Sequence, residues 1–96
     1  MKLTDLNPTF VSGSGGVRKG IGIIFDCPCG KCGTLCGVEF RNPIDGGPLY
    51  DPARNAHWQR TGETFESLTL TPSIHRSGAG GCGWHGYITN GEVLTV

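Results

Sequence analysis

CGWHGYITNGEVLTV, residues 82–96, decides how the rest of this chain is read. Asn90-Gly91 is a pair favoured in two-residue type I′ hairpin turns, because both central positions of that turn need positive φ. Counting back from it, Thr89 faces Glu92, Ile88 faces Val93, Tyr87 faces Leu94 and His85 faces Val96. His85 and Tyr87 then share one face of the hairpin, and Trp84 and Ile88 share the other. The hairpin is entered through Cys82 and His85, three positions apart, a spacing that suits one half of a tetrahedral metal site.

A second hairpin can be read upstream. In GIGIIFDC (20–27), Ile21, Ile23 and Phe25 alternate onto one face; in LCGVEF (35–40), Cys36, Val38 and Phe40 do the same. CPCGKCGT reverses the chain between them, so Cys27, Cys29 and Cys32 sit at a hairpin tip. Further on, HWQR (57–60) reads as a short strand. FESLTLTPSI (65–74) reads as a longer one, in which Pro72 should mark a sheet edge or a bulge. RNPIDGGPLYDPARN (41–55) is rich in turn-forming residues and reads as an ordered loop. No segment carries the pattern of a long helix.

The composition agrees with a loop-rich fold: 96 residues include 17 glycines and six prolines. One domain, 1–96, is expected, with 1–19 a partly mobile N-terminal segment. Its SGSGGVRKG stretch lacks the Gly-Lys-Ser/Thr ending of a phosphate-binding loop and reads as a surface turn. Eight basic and eight acidic residues leave no net charge to attract nucleic acid or an anionic membrane. No apolar run is long enough to span a bilayer. The expected location is the cytoplasm, and the partner is left open.

Five cysteines in such a chain point to metal rather than disulfides, and four of them (Cys27, Cys29, Cys32 and Cys36) crowd together. Cys29-Gly-Lys-Cys32-Gly33 has the form of a zinc knuckle, and Cys82-Gly-Trp-His85 matches it. The sequence therefore predicts a small all-β zinc-binding domain with little or no helix. Its two β-hairpins would be joined by a structural site of three cysteines and one histidine, drawn from Cys27, Cys29, Cys32, Cys82 and His85, with the choice among the first three open. A [2Fe-2S] cluster is the alternative cofactor. Cys36, in phase with Val38 and Phe40, reads as a small buried side chain. His57 and His75 read as non-ligands. Ser73 and His75 share a strand face without coming into hydrogen-bond range, so no catalytic group is assigned. The expected role is a binding or adaptor module rather than an enzyme.

Two resemblances accompany this reading. Cys82, His85 and Gly86 resemble the second box of Rieske iron-sulfur proteins, which implies an electron-transfer or oxygenase-associated role. More broadly, Cys27-Pro28-Cys29-Gly30, Trp58, Pro72-Ser73-Ile74, Cys82, Trp84-His85-Gly86 and Gly91 resemble a family of short, uncharacterised phage and bacterial proteins. Its phage members are often labelled putative ammonia monooxygenases. That resemblance implies a metal-binding domain in a bacterial or phage-infected host cytoplasm, with a host or phage protein as partner. The label itself denotes a membrane copper enzyme, whereas the cysteine-rich pattern here suits zinc or iron-sulfur.

Overall fold

The structure is a computed structural model, and it describes residues 1–49, 57–76 and 82–96. Seven strands form two antiparallel sheets, and no α-helix occurs among the described residues. The first sheet has the order β1 (Thr9–Gly13), β2 (Arg18–Asp26), β3 (Leu35–Glu39). The second has the order β4 (Gln59–Thr61), β5 (Thr69–His75), β6 (His85–Thr89), β7 (Glu92–Thr95). No described helix is long and apolar enough to cross a membrane.

The alternation in β2 and β3 sets the inner face of the first sheet. Ile23, Phe25, Cys36 and Val38 are buried, and they join Leu70, Ile74, Ile88 and Val93 of the second sheet, with Leu68 and Trp84 just ahead of β5 and β6, in one apolar cluster. Both expected hairpins are present. Ile23 pairs with Val38 and Phe25 with Cys36 in one; Thr89 pairs with Glu92, Ile88 with Val93 and Tyr87 with Leu94 in the other. Val96 closes the second by donating its N–H to the His85 carbonyl at 2.9 Å.

The turn between β6 and β7 has φ of 47° at Asn90 and 74° at Gly91, as type I′ geometry requires. Gly91 is also hemmed in. A Cβ there would lie 2.6 Å from the Glu66 carbonyl oxygen and 2.7 Å from that of Phe65. Gly91→Ala is therefore expected to destabilise the fold by more than about 1 kcal/mol, read as a lower urea midpoint with an unchanged slope.

The N-terminal segment contributes more than the sequence suggests. Leu3 is fully buried, Lys2 forms a bridge to Glu92, and β1 pairs with β2. Phe10 explains this attachment: its ring stacks on Phe65 at 4.5 Å and meets Phe40 edge-on at 6.4 Å. The loop of 41–49 is tied down by Asp45, which accepts bonds from the Arg18 guanidinium at 2.7 and 3.2 Å. That pairing holds the Asp45 carboxyl well below the usual carboxylate range. The rest of the predicted loop, 50–56, and the glycine-rich stretch 77–81 lie outside the described residues.

Pro72 sits at a bulge, one residue past the last described pairing of β5 with β4. Leu70 pairs with Ile88 and Ile74 with Gly86, so the intervening residues of β5 outnumber those of β6. Ser73 lies within this irregularity, where regular pairing does not fix its direction.

Candidate active site and metal centre

The first group of chemically active side chains forms where β2 turns into β3. The Cys27 N–H donates to the Thr34 carbonyl at 3.2 Å and closes the loop, while the N–H groups of Lys31 and Cys32 donate to Cys29 Sγ at 3.4 and 3.3 Å. Cys82 arrives from the other sheet, with its Sγ 3.4 Å from that of Cys27. The Sγ atoms of Cys27, Cys29, Cys32 and Cys82 all lie within 4.8 Å of one another. Four sulfurs around one ion at metal-sulfur distances of about 2.3 Å are separated by roughly 3.8 Å. The group is therefore of the size and donor type that can hold a metal ion.

Its electrostatics divide the ligands. Backbone N–H groups of Lys31 and Cys32 lower the Cys29 thiol, and the Thr34 hydroxyl and backbone bring Cys32 down to about 6. Burial instead pushes Cys27 up to about 12. Cys36, also pushed up by burial, to about 11, lies in the core between the sheets as a small apolar side chain. Arg76 borders the cluster: its guanidinium is 3.8 Å from Cys32 Sγ and 3.1 Å from Thr34 Oγ1.

His85 has a different neighbour. The structure brings together Cys27, Cys29, Cys32 and Cys82, whereas His85 Nε2 lies 2.8 Å from Ser73 Oγ. Strand geometry accounts for the separation. Cys82 precedes β6, and its neighbours are held by two backbone bonds with Arg76, from Arg76 N–H to the Trp84 carbonyl at 2.8 Å and from Gly83 N–H to the Arg76 carbonyl at 2.7 Å. His85 opens β6 directly opposite His75 of β5, and its neighbour Gly86 faces the core. The His85 ring is thereby turned to the outer face.

On that outer face the His75 and His85 rings lie 4.8 Å apart, tilted by 31°, and the Tyr87 ring is 6.3 Å from His85. Ser73 and His85 are half-buried, while Tyr87 and its cross-strand partner Leu94 are exposed. A serine hydroxyl within 2.6–3.2 Å of an imidazole nitrogen is the arrangement in which the ring can take the hydroxyl proton as oxygen attacks an electrophile. The Trp58 indole N–H donates to the Ser73 carbonyl at 3.3 Å, fixing the residue from the other side.

The model of the family described as "Bacterial ubiquitination-like system serine protease (BubE)" matches residues 4–96. The chain belongs to the BubE family. No curated protein and no solved structure matches it significantly. The matched span includes all the cysteines, Ser73 and His85, so both groups of side chains fall within the BubE region.

In the sequence, the natural partner to weigh for Ser73 is His75, because both lie in one strand. The Ser73–His85 contact depends instead on β5 and β6 being neighbours and on the bulge between them. A signal for it is present in Thr71-Pro72-Ser73-Ile74, where a proline within a strand marks a break in pairing, but no local pattern names the strand across the break. His57, read as a non-ligand, is buried with Nε2 3.5 Å from Glu39 Oε2.

Proposed function

We propose that this protein is a serine hydrolase of amide bonds in polypeptides, acting in a bacterial ubiquitination-like system, with Ser73 as nucleophile and His85 as general base. The observation that carries the reading is the 2.8 Å contact between Ser73 Oγ and His85 Nε2 on an open sheet face. The serine-protease description of the family supports it. Ubiquitination-type chemistry makes amide bonds, and an amide hydrolase is the catalyst that would prepare or undo them.

In the proposed reaction His85 carries its proton on Nδ1, leaving Nε2 to accept. As Ser73 Oγ bonds to the substrate carbonyl carbon, its proton passes to Nε2. When the C–N bond breaks, His85 returns that proton to the departing amine, leaving an acyl ester on Ser73. Water then attacks the ester carbonyl, gives a proton to Nε2, and releases the carboxylic acid as the serine hydroxyl regains its hydrogen. The outer face offers exposed Tyr87 and Leu94 beside the dyad, so an extended polypeptide can reach Ser73 from solvent.

The four cysteines would hold zinc. The donor set of four sulfurs favours it, and such a site is closed, with no open position for water or substrate. A bound zinc supplies cross-linking rather than reaction chemistry here, joining the β2–β3 tip to the entry of β6. Four thiolates around Zn²⁺ leave two negative charges, and the Arg76 guanidinium stands where it offsets part of them.

A fluorophosphonate probe tests the nucleophile, since it phosphonylates activated serines. The expected result is a single adduct that mass spectrometry maps to Ser73 in the wild type and that is lost in His85→Ala. A folded, metal-loaded protein that takes no adduct at Ser73 would sink the hydrolase reading and favour the adaptor role that the sequence suggests.

A further inference from the structure

We propose that Trp58 is a positioning residue for the nucleophile, its indole N–H holding the Ser73 peptide so that Oγ points at His85; the inference rests on the assignment of Ser73 and His85 as a hydrolase dyad. Three sets of contacts carry it. Trp58 is anchored to the first sheet through its backbone: its N–H donates to the Glu39 carbonyl at 2.9 Å, its carbonyl accepts from Arg41 N–H at 2.8 Å, and the bridge to Phe40 runs parallel. His57, next in the chain, is buried against Glu39. From this fixed base, at the entry to β4, the indole donates to the Ser73 carbonyl of β5 at 3.3 Å.

Ser73 needs such a hold because of where it lies. The regular ladder between β5 and β6 is interrupted from Leu70 to Ile74, and among the described residues β4 pairs with β5 through Thr69, Leu70 and Thr71. The peptide following Ser73 therefore lies beyond the β4 register and inside the bulge. Rotation of that peptide changes ψ of Ser73 and alters the direction of its side chain relative to β6. A misplacement of about 1 Å between reacting groups can cost about 10²-fold in rate. A donor at the junction of the two sheets, where Trp58 bonds to Glu39 and leads into β4, removes this freedom without occupying the outer face where substrate must approach. Trp58 also links the sheets, its backbone bonded to Glu39 and Arg41 and its indole to Ser73.

The indole ring also packs against the core and lines a cleft with Val11, Ile24 and Glu39. Its packing must therefore be separated from its N–H. Trp58→Phe retains an aromatic ring and lacks the donor; a benzothienylalanine placed at position 58 by chemical synthesis retains the bicyclic shape and also lacks it. Both are expected to slow fluorophosphonate labelling of Ser73 about tenfold. For a hydrolysed peptide ester they should lower kcat by a similar factor with KM within twofold, while metal content stays at the wild-type level. The imidazole ¹⁵N signals of His85 should shift as its contact with Ser73 weakens, a response that loss of ring packing alone would not give in the bicyclic variant.

Labelling within twofold of the wild type together with unchanged His85 signals, in either folded variant, would overturn the inference. The benzothienyl variant decides the matter if Trp58→Phe does not fold. The NMR signals report the Ser73–His85 contact even in a protein that takes no probe. A wild type without an adduct thus counts against the hydrolase reading, whereas unmoved His85 signals count against Trp58.

Discussion

Removal of the proposed zinc by a strong chelator, or replacement of Cys82 by serine, is expected to abolish cooperative thermal unfolding. The reason is the place of the four-cysteine group in the fold. Cys27, Cys29 and Cys32 belong to the loop between β2 and β3, while Cys82 leads into β6, so one ion would join the two sheets at the end opposite the Phe40–Trp58 bridge. Binding free energies of structural zinc reach about 10–16 kcal/mol, whereas the whole stability of a small domain is about 5–15 kcal/mol. The apolar cluster between the sheets is modest and cannot readily make up such a loss. The expected signal is disappearance of the sharp melting transition with release of one zinc per chain. A melting curve unchanged by chelation in a zinc-free sample would defeat the structural assignment.

The acid dependence of the same centre has a definite sign. A metal must displace the protons of its thiols, so affinity falls as pH falls. Cys27, pushed up to about 12 by burial, loses a proton on loading at any ordinary pH, whereas Cys32, held near 6, is already a thiolate in neutral solution. Metal loading should therefore release protons, and the loss of affinity should steepen below about pH 6 as Cys32 too takes up a proton.

Much of the scaffold can be read from the chain because its signals are local. Asn90-Gly91 fixes the register of β6 and β7, and alternation over Ile21, Ile23 and Phe25 identifies the buried face of β2. The cysteine spacing likewise marks the loop that meets Cys82. What is not legible is pairing between elements distant in sequence. Ser73 and His85 meet because β5 and β6 lie side by side with a bulge between them, and Trp58 reaches Ser73 only because β3 and β4 lie where the two sheets join. Each strand advertises its own face, but no residue announces which strand will lie beside it. The N-terminal strand is obscured for a related reason: Phe10 finds Phe40 and Phe65, both far along the chain, while the glycines that follow it read as a loose turn.

Replacing Ser73 or His85 separately by alanine should reduce amide hydrolysis by at least about 10³-fold, and replacing both should cost little more than either alone. Nucleophile and base act in one step, so once one is gone the other has no proton to exchange, and their losses do not add. The two substitutions also separate catalysis from metal binding. Ser73 lies on the outer face, and its alanine variant should keep both the metal and the melting transition. His85→Ala carries the sharper distinction, because the sequence places His85 among the metal ligands whereas its Nε2 is at hydrogen-bond distance from Ser73 Oγ. A base need not be present for four sulfurs to hold an ion, so this variant should retain one zinc per chain and melt within a few degrees of the wild type while losing activity. Loss of zinc in His85→Ala, with activity falling only in proportion to unfolded protein, would return His85 to the metal centre and remove it from the reaction.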